Sequence, residues 1–278
     1  MRLRLDIAYD GTDFRGWARQ PGLRTVQGTL EGAIARILGG EPRLVVAGRT
    51  DAGVHATGQV AHLDLTDAQR HRLDAARNPA PEALAARLTG ILGQYPDVVV
   101  RRASPAPEGF DARFSAVWRR YAYRVADRVS GYDPIDRART TSVAADLDVG
   151  AMDAAARSLI GLHDFAAYCK WREEATTIRT LLEFDWHRDA DGILLANVKA
   201  DAFCHSMVRA LVGACVAVGQ GRLDVADVAE IRDARERTSE TKVLAARGLT
   251  LTEVGYPADE LLADRAEQTR RRRSLDGD

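Results

Sequence analysis

The chain has 278 residues, 46% hydrophobic and 28% charged, a balance that excludes disordered, collagen-like and coiled-coil proteins and leaves room for one large domain or two of modest size. Its 39 lysines and arginines against 40 aspartates and glutamates give a formal charge of -1, so nucleic acid is not attracted by net charge and any such surface must be local. The start, Met1 to Asp6, alternates leucine with charge and lacks the apolar run of a secretory signal, and no stretch reaches the ~18 apolar residues of a membrane helix. Cys169, Cys204 and Cys215 are odd in number with no C-x-x-C pair, which argues against a disulfide framework or zinc ribbon and for a reduced, cytoplasmic setting.

In chain order, Leu3, Leu5, Ile7 and Tyr9 alternate with polar residues and predict a strand with one buried face. Val26, Leu30, Ala33, Ile34 and Ile37 recur at helical spacing, with Thr25 as N-cap and Gly39 and Gly40 as the stop. Strands at 44–46 and 59–65, a helix at 81–92 and a strand at 98–102 complete the order β-α-β-β-α-β. A stretch with Pro105, Pro107 and Gly109 reads as a linker. The same order then recurs: a strand at 117–125, a helix at 149–160, strands at 178–187 and 193–198, helices at 206–218 and 225–234, and a strand at 249–254. The expected fold is α+β: two ferredoxin-like (split β-α-β) halves side by side, forming a mixed, mainly antiparallel sheet with a central active-site cleft. Their bounds are 1–105 and 106–257, and the charged tail 258–278, ending in Arg270 to Arg273, reads as disordered.

Three segments could carry chemistry. Residues 47–56, Ala-Gly-Arg-Thr-Asp-Ala-Gly-Val-His-Ala, lie in a loop between strands, where working residues tend to sit. Gly48 and Gly53 have phosphate-loop spacing, but Val54 and His55 stand where that motif needs Lys and Ser/Thr. The helix at 206–218 is apolar nearly all round except for Arg209, and a buried guanidinium calls for a carboxylate; Asp51 and Asp201 are the candidates. On the strand through Trp118 to Arg124, Tyr121 and Tyr123 share one face and Arg120 and Arg124 the other, a weak sign of RNA binding that cross-strand packing also explains. His55 with His62, or Cys204 with His205, match no metal spacing, so no metal is expected.

Together these segments resemble the tRNA pseudouridine synthase A family. The matching pieces are Tyr9-Asp-Gly-Thr-Asp-Phe-Arg-Gly-Trp17 with Gln20, Thr25-Val-Gln27, Gly48 to Ala56 with Gly58-Gln59-Val60, Phe110-Asp-Ala-Arg113, Arg120-Tyr121-Ala-Tyr123, His205-Ser-Met-Val-Arg209 with Val212-Gly213, and Gly248-Leu-Thr-Leu251. They run in family order from residue 9 to about residue 256. The resemblance implies isomerisation of uridine to pseudouridine at positions 38, 39 and 40 in the tRNA anticodon arm, by a cytoplasmic homodimer without cofactor or metal. It further implies Asp51 as nucleophile, Tyr121 stacked on the uracil and removing the C5 proton, Arg209 paired with Asp51, and Arg49 filling the space of the flipped base. This chain departs from the family at Ala18, around Leu92 to Asp97, and at Asp201. Two other readings compete. A non-catalytic RNA-binding module leaves Asp51 and Arg209 unexplained, and a carboxylate-based glycosidic-bond hydrolase needs a second carboxylate, which only Asp201 suggests locally.

Overall fold

The leucine alternation of the first residues becomes strand β1 (Arg2–Tyr9), with Leu3, Leu5 and Ile7 buried. A computed structural model of the chain describes residues 1–76, 78, 80–93, 96–171, 176–238 and 241–270. They fall into two compact units, Met1–Val117 with residues 251–270, and Trp118–Thr250.

In the first unit β1 leads to helix α1 (Val26–Leu38), where the Thr25 side chain accepts from the Gly28 amide and Gly39 ends the helix at a φ of 70°. Strands β2 (Leu44–Val46) and β3 (His55–Asp64) follow, then α2 (Asp67–Asp74), α3 (Pro81–Leu92) and β4 (Val98–Pro105). The sheet order is β4-β1-β3 with β2 beside β3, the 4-1-3-2 arrangement of a ferredoxin-like fold, antiparallel in each of these pairs. Helix α3 packs on β4 and α1, so the apolar stripe of each helix, Leu30 and Ile34 on α1 and Leu84 and Leu88 on α3, is fully buried.

The second unit repeats the plan. Strand β5 (Trp118–Ala126), the short β6 (Thr141–Ser142), α4 (Val149–Ser158), β7 (Gly161–Asp164), β8 (Ile178–Arg188) and β9 (Leu194–Ala200) precede helices α5 (Met207–Gly219) and α6 (Asp227–Ala234). The order is β5-β9-β8-β7, antiparallel throughout, with β6 parallel to β5. Strand β10 (Leu249–Gly255) crosses the boundary, its part from Leu251 belonging to the first unit.

Four expectations change. The boundary falls at 117/118 and not at 105/106, because the supposed linker is core: Phe110, Ala112, Ser115 and Ala116 are buried, Ala112 donates to His62 Nδ1 at 3.0 Å, and the Phe110 ring meets Tyr256. The tail is not disordered as far as residue 270. Helix α7 (Leu262–Arg270) buries Leu262 and Ala266, one turn apart, and the Leu262 carbonyl accepts from Ser115 Oγ at 2.9 Å. Arg271 to Arg273 and the departure at Gln94 and Tyr95 lie outside the described residues. An unforeseen helix, α2, is closed by a reciprocal cap between Thr66 and Gln69. Finally, Cys169 and Cys204 are joined as a disulfide with Cα atoms 5.8 Å apart, while Cys215 is free and buried, its thiol pushed up to about 12 by burial. Thirty-five residues separate the pair, so the fold and not a local motif brings them together.

Candidate active site

In the first unit the loop from Ala47 to Val54 is held by backbone hydrogen bonds to its neighbours. The Trp17 amide donates to Thr50 O at 3.0 Å, the Gly53 amide to Phe14 O at 3.3 Å, and Ala47 to Val60 O at 2.8 Å. Within the loop the Val54 amide donates to Asp51 O at 3.2 Å, closing a turn that puts Gly53 at a φ of 78°. Gly11 lies so close to the Val54 carbonyl that no Cβ would fit there. Side chains then alternate in exposure: Arg49 is exposed, Thr50 buried and Asp51 half-buried. A carboxylate on a backbone tied at three points has little backbone motion left to lose on binding.

The histidines near this loop do structural work. His55 Nδ1 accepts from the Gly11 amide at 3.1 Å with Asp10 Oδ1 also 3.1 Å away. His62 Nδ1 accepts from Ala112, and burial holds its pKa below the ordinary imidazole value. Buried imidazoles used as backbone acceptors explain both residues.

In the second unit Tyr121 lies on β5 opposite Val198 of β9, 8% exposed, with the ring of Phe203 edge-on at 5.1 Å. Tyr123, two residues on, is fully buried, its hydroxyl 2.8 Å from Thr141 Oγ1 and donating to Ala245 O at 2.7 Å; burial pushes its pKa up to about 12. The arginines of the opposite face are engaged within the unit: Arg124 with Asp136 and Asp189, Arg120 with Glu183.

Arg209 is the one residue of α5 that is not buried, and its Nε donates to Leu244 O at 2.6 Å. The helix begins from Ser206 in the left-handed region, φ 66°, a costly conformation for a residue with a side chain and one that clusters at functional sites. Asp201 serves the strand ends, its Oδ1 accepting from the Thr180 amide at 3.2 Å and its carbonyl from Arg119. Among the described residues no helix is long and apolar enough to cross a membrane.

A family model described as tRNA pseudouridine synthase matches residues 155–257. The chain is 64% identical to the tRNA pseudouridine synthase A of Leifsonia xyli subsp. xyli, over 99% of this chain and 98% of that protein. It is 53% identical to the protein of that name from Streptomyces griseus subsp. griseus, over 100% and 95%, and 46% identical to that from Mycobacterium leprae, over 99% and 96%.

The chain belongs to the tRNA pseudouridine synthase A family.

Of the residues that the sequence singles out, Arg49 and Asp51 share one loop of the first unit, and Tyr121 and Arg209 belong to the second. Sequence reasoning missed what supports them: Gln59 and Tyr9 behind the Asp51 loop, Phe203 beside Tyr121, and the Leu244 carbonyl on Arg209. Alternation on β1 gives Tyr9 a buried position, but a partner forty-one residues away has no local signal.

Proposed function

We propose that this chain, a tRNA pseudouridine synthase of the A family, isomerises uridines 38, 39 and 40 of the anticodon arm, with Asp51 as the nucleophile. The isomerase activity and the tRNA substrate rest on family membership over the whole chain. The reaction breaks the N1–C1′ bond, turns the uracil, joins C5 to C1′ and releases the C5 proton. Atoms and electrons balance within the nucleoside plus one proton exchanged with water.

Each residue then has a task that its surroundings suit. Asp51, half-buried on a tethered loop, reacts with the target nucleoside. Arg209, the one charge on α5, supplies the cation of the mechanism. Tyr121, on a rigid strand and braced by Phe203, stacks on the uracil and accepts the C5 proton. Arg49, exposed on the same loop, fills the gap left when the base leaves its stack, a step costing a few kcal/mol. Phosphate contacts from arginines of two subunits of a cytoplasmic homodimer supply the rest of the binding, which makes it steeply salt-dependent.

The observation that carries the reading is Asp51 itself, the carboxylate of the Gly48-Arg-Thr-Asp51-Ala-Gly run, presented half-buried between a buried Thr50 and an exposed Ala52. The test is tritium release from C5-labelled uridine in unmodified tRNA. Asp51→Ala and Asp51→Asn are expected to abolish release while tRNA still binds; activity kept within about tenfold, a barrier change of only ~1.4 kcal/mol, overturns the assignment. Free uracil among the products would favour the hydrolase, and binding without release the non-catalytic module.

A further inference from the structure

Behind the Asp51 loop lies a buried polar chain with no part in the bond-making and bond-breaking steps. Gln59, on β3, is wholly buried, Tyr9 at the end of β1 is 5% exposed and Thr50 6% exposed. Gln59 Nε2 donates to Gly48 O at 2.8 Å and to Tyr9 Oη at 3.2 Å. Tyr9 Oη lies 2.8 Å from Thr50 Oγ1. The amide donors fix the proton order. The two hydrogens of the Gln59 amide are both spent, one on Gly48 and one on Tyr9, so Tyr9 accepts there and turns its single proton toward Thr50. Burial pushes the Tyr9 pKa up to about 12, so this phenol keeps its proton at neutral pH.

The chain Gln59 to Tyr9 to Thr50 therefore grips the loop at Gly48 and at Thr50, on both sides of Arg49 and one residue before Asp51. Two strands of the sheet supply the anchors, and the Trp17 amide holds the Thr50 carbonyl from the other side. Gripping a loop by its backbone and by a side chain fixes the direction of the next side chain as well as its position.

We infer that Tyr9 and Gln59 are positioning residues, which through Thr50 hold the Asp51 carboxylate in its reacting orientation. This rests on the reading of Asp51 as nucleophile. A satisfied buried network specifies one arrangement, and opening it leaves buried donors and acceptors unpaired. A misplacement of about 1 Å at a reacting group lowers the rate by about a hundredfold without abolishing binding.

The experiment compares Tyr9→Phe, Thr50→Val, Thr50→Ser and Asp51→Asn for kcat and KM in C5-tritium release, with thermal melts alongside. Tyr9→Phe and Thr50→Val are expected to lower kcat by about tenfold to a hundredfold with KM for tRNA within about twofold. Thr50→Ser, which keeps the hydroxyl, is expected to restore most of that loss, and the double variant Tyr9→Phe/Thr50→Val to be no slower than the worse single one, since both open the same network. Unchanged kcat in Tyr9→Phe and Thr50→Val, with or without a lower melting temperature, overturns the inference, as does a rise confined to KM. If Tyr9→Phe does not fold, Thr50→Val against Thr50→Ser decides alone. Retained activity in Asp51→Asn overturns the nucleophile assignment, whereas a dead Asp51→Asn beside a fully active Tyr9→Phe overturns only the positioning role.

Discussion

Phe203 stands edge-on to Tyr121, ring centroids 5.1 Å apart and planes at 90°. That is an attractive geometry, the positive ring edge of one against the negative face of the other, and such pairs contribute about 0.5–1.5 kcal/mol beyond their buried area. Phe203 belongs to the short segment that leads through Ser206 into α5, so the approach to the Arg209 helix also braces the Tyr121 ring. Phe203→Leu keeps apolar bulk and removes the ring edge. Its expected effect is a single-turnover rate lower by about twofold to tenfold, the same energy expressed as a barrier. Tyr121→Phe keeps the packing and removes the hydroxyl, so its effect should be larger. A Phe203→Leu enzyme at full rate beside a crippled Tyr121→Phe would show that Tyr121 needs no such brace.

Arg209 is bound to the 242–244 segment in both directions: its Nε donates to Leu244 O at 2.6 Å, and the Leu244 amide donates to the Arg209 carbonyl at 3.2 Å. With Nε committed to Leu244, the role proposed for Arg209 falls to its two Nη atoms. Lysine carries the charge but not this division of labour. Arg209→Lys should keep the fold and lose at least about tenfold in rate. Arg209→Met should fall further in rate while melting within a few degrees of the parent, since an apolar residue is tolerated in so apolar a helix. Thermal melts and tritium release on both variants check this, and full activity in Arg209→Met would remove Arg209 from the mechanism.

Much of this fold could be read from period and punctuation. The alternation of Leu3, Leu5 and Ile7, the Thr25 cap and the Gly39 stop are local signals, and the structure has the strand and helix they specify. What escaped depends on distance along the chain. Phe110 and Ala112 lie in a proline- and glycine-bearing stretch that reads as linker, yet they pack on Tyr256 and His62, which no local pattern reveals. Cys169 and Cys204 likewise meet through the fold alone. Of the candidate residues, Asp51 stood out through its motif and Arg209 as a lone charge on an apolar helix, whereas Tyr9 showed only a buried strand position at the head of a family-like segment, with no sign of its contact with Thr50. The expectation that Arg209 is buried failed in an informative way: α5 buries its other residues and leaves this one half-exposed.

Acid stability should depend on Asp127. Its carboxylate is fully buried and takes two hydrogen bonds from Arg188, Nη2 to Oδ2 at 2.5 Å and Nη1 to Oδ1 at 3.1 Å, with further donation from the Ser130 and Leu147 amides. Burial works to raise its pKa, but the guanidinium and the two amides outweigh it and hold the group well below the ordinary carboxylate range. A depressed folded pKa means that the stabilisation is fully present above the unfolded value, about 4, and is lost as the pH falls through the lower folded value. Asp127→Asn should therefore melt lower at pH 7, by the equivalent of about 3–5 kcal/mol for a broken buried pair, and the difference from the parent should shrink steadily below pH 4. Parallel melting curves for the two proteins from pH 7 to pH 2 would contradict this.

Two helical glycines should respond to alanine with opposite sign. Gly32 is exposed on α1, and a methyl group added there would meet no atom within 4 Å, so Gly32→Ala gains helix propensity and loses unfolded-state freedom, a stabilisation of about 1 kcal/mol or about 2–4 °C. Gly213 is buried on α5 with the Lys242 carbonyl directly against it, leaving no room for a Cβ. Backbone cannot turn aside as a flexible side chain does, so the helix and the 242–244 segment must part, at a cost of about 1–3 kcal/mol that outweighs the propensity gain. That segment also holds Arg209 through Leu244, so the damage reaches the proposed site. Gly213→Ala should thus melt several degrees lower and turn over more slowly, while Gly32→Ala melts higher at the parental rate. Differential scanning calorimetry with tritium release on the pair decides the matter; a Gly213→Ala protein as stable and active as the parent would mean that α5 and the Lys242 backbone can separate at little cost.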